Sequence, residues 1–448
     1  MKEKHFDPNR NMESLETTWV ARANALQRKG RAGRVMPGVC FHLYTGHRFK
    51  YHFLGQPVPE IHRVPLEKLI LNIKLLQVFE DKDVKQVLGS FIEPPVSDSI
   101  DSAISRLQSV GALDKDIELT ALGQHLATLP VDVRIGKLIL YGAIFSCLDA
   151  ALTMAACLSF QSIFFTPFDK KDLANAKKME FATAFSDQMA VLNAYKKWLK
   201  AHKTSPIAGR NYANENYLSL KTLISIADVK YQFLELLVDI GFVSVNLKYS
   251  KRIMGRDEIV NITGNEFNKY GENYRLLSSV LCAALYPNVV KILTPPKSFM
   301  MSAAGAVPKE IEAKDLRFTT VKEKVFMHPS SVNYKVSNFP SPYLVYQEKV
   351  RTSKIFIRDC SMVPVISLVL FTGYDLDIKV HNGSSFISLE NGWIMLQVEE
   401  HKVAEMIKMI KLELLELLEE KIRDPLLNLQ NNDKSYRIIT TILRLISS

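Results

Sequence analysis

Gln27, Arg31 and Arg34 lie in the octet Gln27-Arg28-Lys29-Gly30-Arg31-Ala32-Gly33-Arg34, at i, i+4 and i+7. On a continuous helix that spacing puts one amide and two guanidinium groups on one face. Such a face suits phosphate: a guanidinium donates through a rigid fork, stays charged, and stabilises the charge that builds on a transferring phosphoryl group. Gly30 and Gly33 fall on the opposite side, where each costs about 1 kcal/mol relative to alanine unless close packing compensates. Small residues behind functional ones suit a surface pressed between domains. The same string is also readable as a solvated basic helix end or a localisation signal.

A second cluster is strand-like. In Lys354-Ile355-Phe356-Ile357-Arg358, alternation puts Lys354, Phe356 and Arg358 on one face, with Ile355 and Ile357 towards a core. Cation, aromatic, cation is a surface for stacking bases and pairing phosphates; Phe356 filling a second packed layer is the equal alternative. Lys349, Arg351 and Thr352 just upstream favour RNA. The lysines at 170, 171, 177, 178, 196, 197 and 200 are interleaved with acids and read as solvated helix faces. His328 in MHPSS has no acid placed near it in sequence and reads as part of a structural loop.

Residues 17–34, TTWVARANALQRKGRAGR, have helical propensity and lead into GVCFHLY, a short buried strand by composition. Beyond Pro57, Leu66, Leu69, Ile70, Ile73 and Leu76 recur at helical spacing. A second run carries Ile100, Ile104, Leu107 and Val110, closed by Gly111, and ALDKDIELT reads as two extended pieces around a turn. Two helices and a small hairpin make a winged helix. Residues 122–251 read as nearly continuous helix, hence a bundle. Beyond Pro287, NVVKIL, LRFTTV, KVFMH, YLVYQEKV, KIFIR, VISLVLF, FISL and WIMLQV are short β-type segments, implying a small barrel or sandwich. A long amphipathic helix follows over 399–422, with Val403, Met406, Ile407, Ile410, Leu414 and Leu417 along one side.

The chain has 448 residues, 47% of them hydrophobic, which calls for several folded domains. Its net charge of +10 favours a polyanionic partner. Five scattered cysteines without a CxxC pair or Cys/His cluster give no metal site and fit a reducing, intracellular compartment, cytoplasmic or nuclear with the cytoplasm favoured. The first residues lack the apolar core of a secretory signal. Leu138 to Phe160 is apolar enough to imitate a membrane span, but Asp149 near its centre makes it two buried helices with a break near Ser146 and Cys147, so no membrane association is expected.

The octet Gln27–Arg34 resembles, residue for residue, the Q-R-x-G-R-A-G-R sequence called motif VI in DEAH-box and DEAH-like RNA helicases. FDP and MESLETTW resemble the stretch after motif V. PEIHRVPLEKLIL, LTALGQHLATLPVDVRIGKLIL and LCAALYPNVV resemble the family's accessory region, and HPSSVNY and YLVYQEKVRTSKIFIRDCSMV its terminal OB-fold. ANALQRKGRAGRV, GVCFHL, LPVDVRIGKL and FIRDCSMV look closest to an animal branch with ubiquitin-associated and zinc-finger domains upstream.

The resemblance implies a mixed α and β multidomain chain. In order, it would hold the end of a second RecA-like domain with motif VI (1–55), a winged helix (56–125), a helical ratchet-like domain (126–265), an OB-fold β-barrel (266–395) and a C-terminal helical extension (396–448). It implies that Gln27, Arg31 and Arg34 reach the γ-phosphate region of ATP, with Arg31 and Arg34 as arginine fingers. It also implies 3′-to-5′ movement on single-stranded, weakly sequence-specific RNA, and a possible stimulatory protein partner.

No G-x-x-x-x-G-K-[ST] and no DEAH or DExH string is present, and Arg134-Ile135-Gly136-Lys137-Leu138 lacks the first glycine and the hydroxyl of a phosphate loop. ATP and Mg²⁺ are therefore expected to serve a longer protein in which Met1 is internal, and this chain alone is expected to be inactive. The alternative is a nonenzymatic RNA- or protein-binding module or short isoform.

Overall fold

Near the N-terminus Lys2–Asp7 (β1) pairs antiparallel with Met12–Thr17 (β2), Phe6 opposite Glu13, and the Arg10 amide donates to Asp7 Oδ1 at 3.2 Å in the turn between them. The structure, a computed structural model, describes residues 2–447 except 9, 80–81, 161, 168, 248–257, 297–298, 303–304, 309–310, 373–375, 382, 428 and 430–432. It divides into two units, Met1–Ser105 and Arg106–Ser448, the division falling inside the helix Ser97–Val110.

In the first unit the helix Arg22–Lys29 is followed by irregular chain to the helix Gly46–Tyr51, whose N-cap Thr45 accepts from the Arg48 amide. Trp19, Tyr44 and Phe49 gather around buried Phe53, with ring centroids 5.6, 4.8 and 6.0 Å from it. GVCFHLY is not a strand: Val39, Phe41 and Leu43 are exposed and, among the described residues, no strand pairs with them. A buried strand needs a ladder on at least one side, and composition cannot supply the partner. Helices Glu67–Leu75, Val84–Gly89 and the start of Ser97–Val110 follow, burying Ile70, Leu71, Val84, Leu88, Ile100 and Ala103.

In the second unit the wing is reduced to a single antiparallel bridge, Leu113 to Leu119, around a turn in which Asp114 Oδ1 accepts from the amides of Asp116 and Glu118. The helices Ala121–Thr128, Val133–Ile144, Leu148–Leu158, Lys171–Glu180, Asp187–Thr204, Pro206–Glu215 and Leu220–Asp239 follow, broken more often than the sequence suggested. The predicted break after Phe145 is present, and Asp149 in the next helix is partnered by Lys230, buried 2.8 Å away beneath the face of Tyr195. A charge in an apolar stretch persists when its counter-ion is brought to it. The end of the predicted helical run, 248–251, lies outside the described residues.

The helix Tyr274–Leu285 leads into a barrel. Val289–Leu293 (β3) pairs with Arg317–Thr319 (β6), β6 with Lys324–Met327 (β7), β7 in parallel with Ile355–Met362 (β9), β9 with Tyr343–Arg351 (β8), and β8 returns to β3. This is the closed order of an OB-fold. Phe299–Ser302 (β4) and Gly305–Pro308 (β5) form a separate hairpin. Val290, Leu344, Tyr346, Ile357 and Cys360 fill the barrel.

VISLVLF is a helix, Val365–Phe371, not a strand. A short apolar run buried on all sides carries no period to separate the two, and Pro364 sets the backbone for a helix start. FISL and WIMLQV lie outside the barrel: Asp377–His381 (β10), Ser384–Leu389 (β11) and Ile394–Val398 (β12) make their own sheet. The helix His401–Arg423 packs on that sheet and on the helices Ala121–Thr128 and Asp433–Ser447. It buries Ala404, Lys411, Leu414, Leu417, Leu418 and Ile422, while Val403 and Met406, expected on that face, are exposed. The buried Lys411 donates to the Thr372 carbonyl at 2.5 Å, which rotates the covered face relative to a purely apolar reading.

Candidate nucleotide and nucleic-acid sites

The helix bearing Gln27 starts where the Arg22 and Ala23 amides donate to the carbonyls of Leu54 and Gly55, at 2.8 and 3.1 Å, so neighbouring chain stands in for a side-chain cap. It ends at Lys29. Gly30, Arg31 and Ala32 continue as a turn, the Arg31 amide donating to Arg28 and that of Ala32 to Lys29, both at 3.1 Å. The uninterrupted helix expected through Arg34 is thus corrected: Gln27 is helical, Arg31 is in a turn and Arg34 in a bend. Arg31, Ala32 and Arg34 favour helix, but two glycines within four residues each cost about 1 kcal/mol in a helix interior, and the chain turns there instead of winding on.

The close packing expected behind Gly30 and Gly33 falls at Gly38. A side chain there would sit 2.1 Å from the Ala32 carbonyl oxygen, whereas one at Gly33 would meet nothing within 4 Å. Gln27, Arg31 and Arg34 are all exposed and, among the described residues, their side chains have no hydrogen-bond or ion-pair partner. Their donors are available to an external anion.

The second cluster lies on the outer face of the barrel. β9 carries Phe356 and Arg358 outward while Ile357 is buried, and Lys354 stands in the loop joining β8 to β9. Parallel pairing sets Phe326 of β7 beside Phe356, with ring centroids 6.2 Å apart. Lys354 Nζ lies 4.4 Å over the Phe326 ring, and the His328 ring meets Phe356 edge to face at 5.8 Å. Arg358 reaches His328 Nε2 at 3.3 Å and Glu348 at 3.5 Å. The structure therefore brings Lys354, Phe356 and Arg358 together as alternation predicted, and adds Phe326 and His328. Their signal was the same alternation in KVFMH, legible only once β7 is known to neighbour β9.

Lys349 does not join this surface; it is buried and paired with Glu323 at 3.1 Å. Lys177 pairs with Glu180 and Lys196 with Glu272, as solvated or structural cations do.

Behind the face, Asp187 at the start of the helix Asp187–Thr204 is buried and accepts from Ser331 Oγ (2.5 Å), the Val332 amide (2.9 Å), the Cys360 amide (3.0 Å) and Lys178 Nζ (3.0 Å). Ser186 and Ser361 hydroxyls meet beside it, and Gln188 Nε2 donates to the Asp359 carbonyl at 2.6 Å. The loop after β7 is structural, as read, because Ser331 and Val332 are committed to this carboxylate. Asp359, at φ +50°, is pushed up to about 6 by burial and by the negative charge of Asp187. His328 is held below its usual range by burial and by the cations Arg358 and Lys178.

Gly136 and Lys137, the weak phosphate-loop string, lie within a helix: a side chain at Gly136 would collide with Leu126, and buried Lys137 donates to the Val110 carbonyl at 2.9 Å. Among the described residues there is no cluster able to hold a metal and no helix long and apolar enough to cross a membrane.

Family models match 103–131 (helicase associated domain HA2, winged-helix), 132–204 (the same domain, ratchet-like), 277–374 (oligonucleotide/oligosaccharide-binding fold) and 387–448 (C-terminal domain in RNA helicases). The chain is 50% identical to mouse Putative ATP-dependent RNA helicase DHX57, over all of this chain and 33% of that protein. It is 38% identical to human ATP-dependent DNA/RNA helicase DHX36, over 95% of this chain and 39% of that one. It is 35% identical to Arabidopsis thaliana DExH-box ATP-dependent RNA helicase DExH1, over 100% and 41%. The chain belongs to the DExH-box RNA helicases and carries the accessory domains of their C-terminal part. It spans between about a third and two fifths of the length of these relatives.

Proposed function

We propose that this chain supplies half of an ATP site and an RNA-binding platform to an ATP-dependent RNA helicase that moves 3′ to 5′. The observation that carries the reading is the octet Gln27–Arg34, in which the side chains of Gln27, Arg31 and Arg34 are exposed and unpartnered among the described residues. Such groups fit an anionic phosphate. Gln27 would orient the γ-phosphate region, and Arg31 and Arg34 would act as arginine fingers, stabilising charge on the transferring phosphoryl group. ATP with Mg²⁺ supplies the reacting phosphate when bound in the longer protein. No phosphate loop or DExH string is in this chain, so by itself it should release no phosphate from ATP above background with RNA present.

The domain organisation that goes with this reading is a RecA-like end over 1–55, a winged helix over 56–125, a ratchet-like bundle over 126–265, an OB-fold over 266–395 and a helical extension over 396–448. Single-stranded RNA would meet Lys354, Phe356 and Arg358. Binding dominated by phosphate contacts should weaken steeply with salt and depend little on sequence. A stimulatory protein partner is compatible with this organisation.

The deciding experiment is Arg31→Ala and Arg34→Ala in the longer protein. RNA-stimulated hydrolysis should fall about 10³-fold or more while RNA affinity changes little. Wild-type turnover by either variant removes that arginine from the reaction. If this chain is instead translated alone, it is a nonenzymatic RNA-binding module, and the same oligonucleotide titrations would still find its platform.

A further inference from the structure

On the outer surface of β7 and β9 the aromatic rings are neither interior nor isolated. Phe326 is 41% exposed and Phe356 half-buried, on adjacent parallel strands, with cations at both ends of the pair. Exposed Lys324 and Arg351 extend the positive border. The loop carrying Lys354 joins the fourth and fifth strands of the barrel, and in OB-folds that loop and the neighbouring strand face are where oligonucleotides lie. Building on the RNA-platform reading above, we propose that Phe326 and His328 complete a seat for one unpaired RNA nucleotide, its base against Phe326 and Phe356 and its phosphate taken by Arg358 and Lys354.

The chemistry selects this occupant over others. An exposed aromatic ring stacks any base, because every base has a π-face, while a duplex hides those faces and offers only its backbone and groove edges. The Phe326 and Phe356 rings are tilted by 52° to one another, so one base lies on one ring and abuts the other. Arg358 is held in advance: Glu348 approaches it from one side and His328 Nε2 from the other, so the guanidinium is poised at the rim. A phosphate can replace Glu348 as its partner.

His328 links this exchange to pH. Arg358, Lys178, Lys171 and Asp187 face the ring, Glu348 acts through Arg358, and Asp359 adjoins on β9. The cations favour neutral imidazole in the free protein; a bound phosphate adds negative charge and favours imidazolium. Binding then takes up a proton, so affinity rises as pH falls from about 8 towards 6.

The test titrates the full 448-residue chain with a single-stranded RNA of about twelve nucleotides carrying 2-aminopurine, whose fluorescence is quenched by stacking. The wild type should bind with quenching, and Phe326→Ala should lose about tenfold in affinity together with the quench. Phe326→Tyr should restore both. Phe326→Leu, which keeps apolar bulk without a ring plane, should behave like alanine and guards against a folding defect. His328→Gln should flatten the pH profile. Wild-type affinity and full quench in both Phe326→Ala and Phe326→Leu overturn the seat. If Lys354→Ala with Arg358→Ala still weakens binding in that case, the RNA platform stands without it. No binding by the wild type at low salt overturns both.

Discussion

Arg31 and Arg34 stand in a turn and the bend after it, with side chains that have no partner among the described residues, whereas the Arg358 side chain is flanked by Glu348 at 3.5 Å and His328 at 3.3 Å. The first pair is fixed only through its backbone: the Arg22 and Ala23 amides anchor the helix start, and Gly38 lets the chain fold against Ala32. The barrel face is fixed through side chains, with Asp187 tying the loop after β7, the strand β9 and Lys178 into one buried network. Donors left open on an ordered backbone suit a ligand brought from outside the chain. Donors already balanced by neighbours suit a ligand that displaces one of them. The contrast predicts that substitutions in the octet should cost activity and little stability, while substitutions behind the barrel face should cost stability first.

On the proposed function the largest effect should come from removing Arg31 or Arg34, about 10³-fold or more in RNA-stimulated hydrolysis by a protein that joins this chain to a nucleotide cradle. Calorimetry on this chain supplies the other half of that comparison, since Arg31→Ala should leave its unfolding free energy within about 0.5 kcal/mol. A melt lowered by several degrees would mean that Arg31 is a structural residue.

Asp187→Ala should be the most destabilising of the changes on the barrel side. It takes the counter-ion from Lys178, leaving it the Ser330 carbonyl, and leaves the Ser331, Val332 and Cys360 donors unanswered, at a cost of about 3–5 kcal/mol and a fall in melting temperature of roughly 5–15 °C. An unchanged melt would erase the distinction between the two regions.

Lys354→Ala with Arg358→Ala should reduce the slope of log affinity against log salt by roughly 1–2 for single-stranded RNA, because up to two phosphate contacts are lost. A parallel line displaced downwards would mean that their part is not electrostatic.

A further effect, confined to a pH window, concerns Asp359. Its carboxyl is raised from 3.8 to about 6, so the folded state binds more protons than the unfolded state between those values. Stability therefore falls as pH rises through that window, and the penalty is fully present above it. Asp359→Asn removes the charge and tolerates the positive φ, and should raise stability by up to about 3 kcal/mol at pH 8 and by progressively less towards pH 4. A gain independent of pH would place its origin outside the titration.

Much of this chain was legible before its structure. The octet is contiguous, so the types and order of Gln27, Arg31 and Arg34 could be read directly, although its α-helical face could not: two glycines let the chain turn after Lys29. Alternation in KIFIR predicted which residues share a face because a strand has a period of two whatever it pairs with. VISLVLF had no such internal rule, since a run buried all round satisfies either helix or strand, and GVCFHLY had the composition of a strand without a ladder to join.

The sequence by itself determined the family, the mixed architecture and the cationic balance, because each depends on local order or composition. Only the tertiary structure decided that Phe326 and His328 stand beside Phe356 and Arg358, that Asp149 finds Lys230, and that Lys349 is buried against Glu323. Those pairings join residues 26–81 positions apart, and in the barrel one of them runs through a parallel strand pair that no neighbouring turn specifies. Their physical cause is the closure of the barrel and the burial of charges that must find partners, and both act through space.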